Sequence, residues 1–209
     1  MGVGLSLRKR RHAMPLEVHC CTVRPGSGQL ILTGCSNDTI RECVGIAEHV
    51  VSQNKDVIGA RLGVAVGAAP FIIRGRSEDL HVHLIALGED VRHTEYMAAM
   101  VISLVSLMIG KRPPSDVAAF GEVAYTGLLS PADFIWTDKI VGLCRQQGIR
   151  RIVLAPNSTI KRPEAEAAAS AIDHDDGRPV LQFMRYGNIL DALSEIFTSV
   201  EVNALNPIV

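Results

Sequence analysis

At 209 residues the chain suits one domain of moderate size or two small lobes. With 47% hydrophobic, 21% charged and only 4% aromatic residues, its core is aliphatic and its composition is that of a globular chain, not a disordered one. A formal net charge of -1 excludes a global electrostatic pull toward nucleic acid and leaves only a local basic patch for such binding.

The first biased segment is Leu7-Arg8-Lys9-Arg10-Arg11-His12, with no acid before Glu17. Three readings stand side by side: a short mitochondrial-type presequence, a myristoylation pattern on Met1-Gly2 and Ser6 with a polybasic follower, or a solvated tail. Residues 1–15 are accordingly expected as a basic tail ahead of one domain at 16–209. Residues 16–23 and 29–33, separated by Pro25-Gly26-Ser27-Gly28, read as an opening β-hairpin. Ser36-Asn37-Asp38-Thr39 then supplies capping residues for a helix whose stripe is Ile40, Val44, Ala47 and Val51, ending near Gln53-Asn54. Residues 62–66 and 70–73 read as short strands or a loose connection. Asp79-Leu80-His81-Val82-His83 opens a strand with both imidazoles on one face, where a metal would need a third partner and hydrogen-bonded histidines need none.

From about Thr94 a helix, apolar almost all round, runs to Ile109 and stops at Gly110 before Lys111-Arg112-Pro113-Pro114; it must be central, and it is too short to cross a bilayer. Residues 117–125 and Leu128-Leu129 read as strands interrupted by Gly121 and Gly127. Thr137 caps a helix that Gly148 closes, and residues 151–155 form a buried strand. Arg162-Pro163-Glu164 opens another helix, residues 180–184 give a strand, and a last helix from Asn188 turns Leu190, Leu193 and Ile196 or Phe197 inward. Asp173-His174-Asp175-Asp176-Gly177 reads as a solvated turn, with a hard cation as the alternative. Alternating strands and helices argue for a mixed α/β (α+β) sheet domain with packed helices and no internal repeat. Five cysteines with no CxxC spacing argue against a disulfide framework and against a zinc ribbon. A reducing compartment, cytoplasm or mitochondrial matrix, is expected, with Cys20, Cys21 and Cys144 buried and unreactive.

In this order, Gly28 to Gly34, Asp79-Leu80-His81-Val82-His83, Gly121-Glu122-Val123, Gly127, Pro131, Gly148-Ile149, Pro156-Asn157 and Leu190-Asp191-Ala192-Leu193 resemble the proteolytic domain of Lon proteases. They are also similar to the Lon-like domain of the RadA DNA-repair ATPase. The resemblance covers residues 16–197, nearly the whole chain, and implies the mixed sheet of that family. It also implies a Ser-Lys dyad, in which a lysine of depressed pKa takes the proton of a serine. This chain departs from it there. Counting back from Gly110, the serine position falls on Glu95, inside Val91-Arg92-His93-Thr94-Glu95-Tyr96-Met97, which keeps nothing of the family's Lys-Asp-Gly-Pro-Ser-Ala-Gly. Counting back from Gly148, the lysine position falls on Asp138, beside Lys139. A catalytic pair survives only as Thr94 with Lys139 as its base; N-cap Thr94 and surface Lys139 are the plainer reading. No GxxxxGK[ST] occurs, so any ATP dependence comes from another chain. By analogy with RadA, the resemblance implies a non-catalytic assembly or docking module, a ring-forming homo-oligomer or a subunit of a larger assembly, with no cofactor and no metal. The alternative is a divergent Lon-like peptidase.

Overall fold

A computed structural model describes residues 2–8, 12–34, 37–64, 77–86, 94–131, 133–135, 138–161 and 181–198. The capping Thr137, the helix expected at Arg162-Pro163, residues 65–66 and 70–73 of the short strands expected at 62–66 and 70–73, and the acidic turn at 173–177 lie outside these residues, whereas Leu62 ends a helix rather than opening a strand. A sheet runs in the order β3-β4-β2-β1-β5-β7-β9. Its members are β1 (Gly2–Arg8), β2 (His12–Val23), β3 (Leu30–Gly34), β4 (Asp79–Ala86), β5 (Val117–Ala119), β7 (Arg151–Leu154) and β9 (Gln182–Arg185). β6 (Asp133–Ile135) joins β2 and carries β8 (Thr159–Lys161). β1 with β2 and β2 with β4 are antiparallel; β3 with β4 and the run β1-β5-β7-β9 are parallel, so the sheet is mixed as expected.

The segment expected as a tail lies in the middle of this sheet. Val3, Leu5 and Leu7 alternate with small residues at the period of a strand, and Gly2–Arg8 pairs with β2 on one side and β5 on the other. Arg8–Arg11 carry the charge expected of a tail, while the period-2 pattern just before them specifies the pairing.

The opening hairpin is also corrected: β2 and β3 are both strands, but β4 lies between them, with His83 registered against His19 of β2 and Thr33 of β3. The donors of the loop explain the difference. Ser27 and Gln29 N–H both donate to the Asp79 carboxylate (2.7 and 2.8 Å), and Gly26 N–H donates to the Ser77 carbonyl (2.7 Å). Leu80 N–H returns a bond to the Gln29 carbonyl (2.9 Å). The Pro-Gly-Ser-Gly stretch is thus fastened to the start of β4 rather than closed on itself. These bonds hold the Asp79 carboxyl below the ordinary carboxylate range, since accepting backbone N–H favours the ionised form.

Helix α1 (Asp38–Gln53) starts where expected, Asn37 accepting from Ile40 N–H (2.9 Å), and buries the predicted Ile40, Val44, Ala47 and Val51. A further helix, α2 (Lys55–Leu62), follows at once where the hydrophobic pattern suggested no helix. Its stripe of Ile58, Gly59 and Leu62 is too short to stand out in sequence, and it is held by packing against the last helix. Helix α3 (Met97–Ile109) lies against β1 and β2 beside α1, and its residues 97–106 are all buried, as its apolar circumference requires. Ser103 there donates to the Val18 carbonyl (3.1 Å). Helix α4 (Asp138–Gln146) packs against β2 outside this helix cluster, and helix α5 (Ile189–Thr198) packs against α2 and α3, burying Leu190, Leu193, Ile196 and Phe197. Val18, Leu80, Val82 and Leu84 share one core cluster with α1, α3 and α5, so the other face of β2-β4-β3 carries Glu17, His19, Cys21, His81 and His83. None of the described helices is long and apolar enough to cross a membrane.

Candidate functional site

The turn entering α3 holds Thr94 and Glu95, the residues beside and at the position counted for the family serine. Met97 N–H donates to the Thr94 carbonyl (3.0 Å), closing a tight turn over Thr94-Glu95-Tyr96, and Tyr96 is fully buried. The loop after β5 locks this turn from both sides. Gly121 N–H donates to the Glu95 carbonyl (2.6 Å), and the Gly121 carbonyl accepts from Ala98 N–H (3.1 Å), which takes up one of the helix's open N-terminal donors. Gly121 has φ +146°, a backbone conformation open to glycine and disfavoured for other residues. Val123 N–H then points at the Met97 sulfur (3.4 Å), so residues 121–123 and 95–98 form one stitched unit.

Within that unit the half-buried Thr94 hydroxyl donates to the exposed Glu122 carboxylate. Its proton is therefore held by a weak base, whereas an attacking alkoxide requires a base matched to the task. Glu95, at the position counted for the family serine, is half-buried, and its main chain is fixed by Gly121. A carboxylate beside the open N–H groups of a helix start sits in a favourable field, but it is a poor acyl-transfer nucleophile. Below it, Cys43 of α1 meets Tyr96. Burial pushes this thiol up to about 11, the Tyr96 hydrogen bond opposes that, and the charges of Glu42, Glu122 and Glu95 add to it. The thiol is protonated and unreactive at neutral pH.

Asp138 and Lys139 open α4, which packs against β2; their side chains lie outside the described part of the structure. Thr94 was expected as an N-cap, but α3 begins three residues later with Tyr96 in the cap position, and the hydroxyl turns to Glu122 instead. The pairing of Thr94 with Glu122 escaped the reading of the sequence because 28 residues separate them. The one available signal was Gly121-Glu122-Val123, already prominent as a motif.

On the open sheet face His81 and His83 lie together as expected, and the register brings His19 opposite His83 as a third imidazole. Among the described residues no group of three His, Cys, Asp or Glu side chains converges to hold a metal ion. Cys144 is buried as expected, its thiol pushed up to about 12 by burial; Cys21, expected to be buried, is exposed.

A mixed sheet with helices packed on it is consistent with a Lon-type proteolytic domain. Residues 12–165 match the family model of the Lon protease (S16) C-terminal proteolytic domain, and the chain belongs to that family. It is 30% identical to the Lon protease of Phenylobacterium zucineum over 133 residues, 64% of this chain and 15% of that protein. It is 29% identical to that of Methylocella silvestris over 180 residues, 84% and 19% respectively. With the Lon protease of Methanosarcina barkeri it shares 26% over 188 residues, 90% of this chain and 20% of the relative. The chain thus spans a fifth or less of the length of these relatives.

Proposed function

We propose that this Lon-type domain works as a non-catalytic assembly or docking module, a pseudoprotease that keeps the family's shape without its dyad. The observation that carries this reading is the occupant of the serine position, Glu95, together with the Thr94 hydroxyl donated to Glu122. Neither arrangement supplies a deprotonated hydroxyl for attack on a peptide carbonyl. A frame retained around a rebuilt site fits a protein selected for what it binds, self-associating into a ring or sitting in a larger assembly in a RadA-like manner. An ATPase chain acting in trans is the natural partner for such a module. The cysteine usage supports a reducing compartment, cytoplasm or mitochondrial matrix.

A second reading, a divergent Lon-like peptidase, draws on Thr94 standing one residue from the serine position in the turn that enters α3. There Lys139 would displace Glu122 as the partner of the Thr94 hydroxyl. Casein and fluorogenic-peptide turnover separates the two readings. No hydrolysis above background is expected, with or without an added ATPase partner. Turnover abolished by both Thr94→Ala and Lys139→Ala would establish the peptidase instead.

A further inference from the structure

The cysteines divide sharply by environment, and the exposed one lines a groove that also holds three histidines. Cys43 and Cys144 are buried; Cys20 is half-buried against the core. Burial pushes Cys20 and Cys144 up to about 12 and Cys43 up to about 11, so none offers thiolate at neutral pH. Cys21 alone among the described cysteines is exposed. It stands directly opposite His81 in the antiparallel register of β2 and β4, which brings the two Cβ atoms within about 5 Å on the same face. An open groove of about 540 Å³ is lined by His19, Cys20, Cys21, Thr33, His81 and His83.

Thr33 orients the base. Its single hydroxyl lies 2.7 Å from His81 Nε2 and 2.7 Å from His83 Nδ1. One hydroxyl has one proton to give, so it donates to one ring and accepts an N–H from the other. In the tautomer in which Thr33 donates to His83 Nδ1 and accepts from His81 Nε2–H, the one this site would use, His81 Nδ1 keeps a free lone pair. Nucleophile, base and orienting group then come from three adjacent strands, Cys21 of β2, His81 of β4 and Thr33 of β3, beside a groove that holds a small molecule. The surrounding charges are already engaged: Glu17 with His19 (3.0 Å), Asp79 with the backbone of the 25–29 loop, and Arg24 with Glu78.

We propose that Cys21 is a thiol-exchange site for low-molecular-weight disulfides, with His81 as its base and the groove as the docking space. His81 Nδ1 takes the Cys21 proton, and the sulfur attacks one sulfur of the disulfide. A Cys21–S–S–R bond forms as the small S–S bond breaks, and the departing thiolate recovers the proton from His81. The small disulfide is the oxidant and is reduced to one free thiol for each adduct formed. This site lies on the sheet face away from the turn that enters α3, and it stands whether or not that turn catalyses anything.

The test is exposure of the full chain to oxidised glutathione under native conditions, with peptide mapping by mass spectrometry and the rate followed against pH. The adduct is expected on Cys21 ahead of every other cysteine. His81→Ala should slow it by about a hundredfold, the low side of what a positioned base supplies, and change the shape of its pH profile. His81→Gln, which keeps a polar side chain on the strand, should behave like His81→Ala and guards against a folding defect. First modification of any other cysteine, or a rate and pH profile that both His81 variants leave unchanged, overturns the proposal.

Discussion

Gly34→Ala isolates the contact that ends the β3-β4 pairing. Gly34 has φ +82° and pairs with Leu84, and a Cβ built on it falls 2.0 Å from the Leu84 carbonyl oxygen. That neighbour is backbone in the middle of a sheet and cannot swing away as a side-chain tip would. The left-handed conformation costs an L-residue about 1–2 kcal/mol. Relieving the clash requires the strand end to move off by more than an ångström, forfeiting a ladder hydrogen bond of about 1 kcal/mol. Together these give a destabilisation of about 2–3 kcal/mol, which lowers a urea midpoint by about 1–1.5 M if the slope is about 2 kcal/mol/M. Gly45→Ala is the internal control: Gly45 is exposed in the middle of α1, with nothing within 4 Å of its would-be Cβ. The same chemical change there should stabilise by about 0.5–1 kcal/mol through helix propensity alone. Opposite signs in urea unfolding followed by circular dichroism are the expected result. A Gly34→Ala loss below about 1 kcal/mol, or a loss at both positions, would refute the reasoning, because the clash and the left-handed φ together set its floor.

Further outcomes follow from single contacts. The Asp79 carboxyl is held below its ordinary value by the Gln29 and Ser27 N–H groups. Its contribution is therefore fully present above the unfolded carboxylate range and lost as pH falls through the depressed folded value. Asp79→Asn should lower the urea midpoint at neutral pH by an amount that shrinks below about pH 4; a gap independent of pH would sink the assignment. Ser103→Ala removes the hydroxyl bonded to Val18 from the buried α3–β2 contact. It should cost about 1 kcal/mol without changing the slope of unfolding, and an unchanged midpoint would show the bond to be dispensable.

Local chemistry alone identified much of the architecture. Asn37 and the stripe Ile40, Val44, Ala47, Val51 determine α1, because an N-cap and a 3.6-residue period are properties of a short stretch of chain. The unbroken apolar run through Met97–Ile109 likewise specified a buried central helix before any partner was known. The family frame was legible for the same reason: its glycines and prolines mark turns that depend on backbone geometry. Two elements were misplaced where the deciding partner is distant in sequence. β1 is a strand because β2 and β5 flank it, and the β2–β3 hairpin is split because Asp79, about 50 residues on, takes the donors of the loop.

The site divides in the same way. Counting along one helix from Gly110 is enough to bring Glu95 to the expected serine position with Thr94 beside it. Only the tertiary structure decided what the Thr94 hydroxyl does, because its partner Glu122 arrives on a loop held by Gly121. It likewise decided that His19, Cys21, Thr33, His81 and His83 share one groove. A strand's period of two tells which residues face the same way, but the register between strands, set by long-range hydrogen bonds, tells which of them meet.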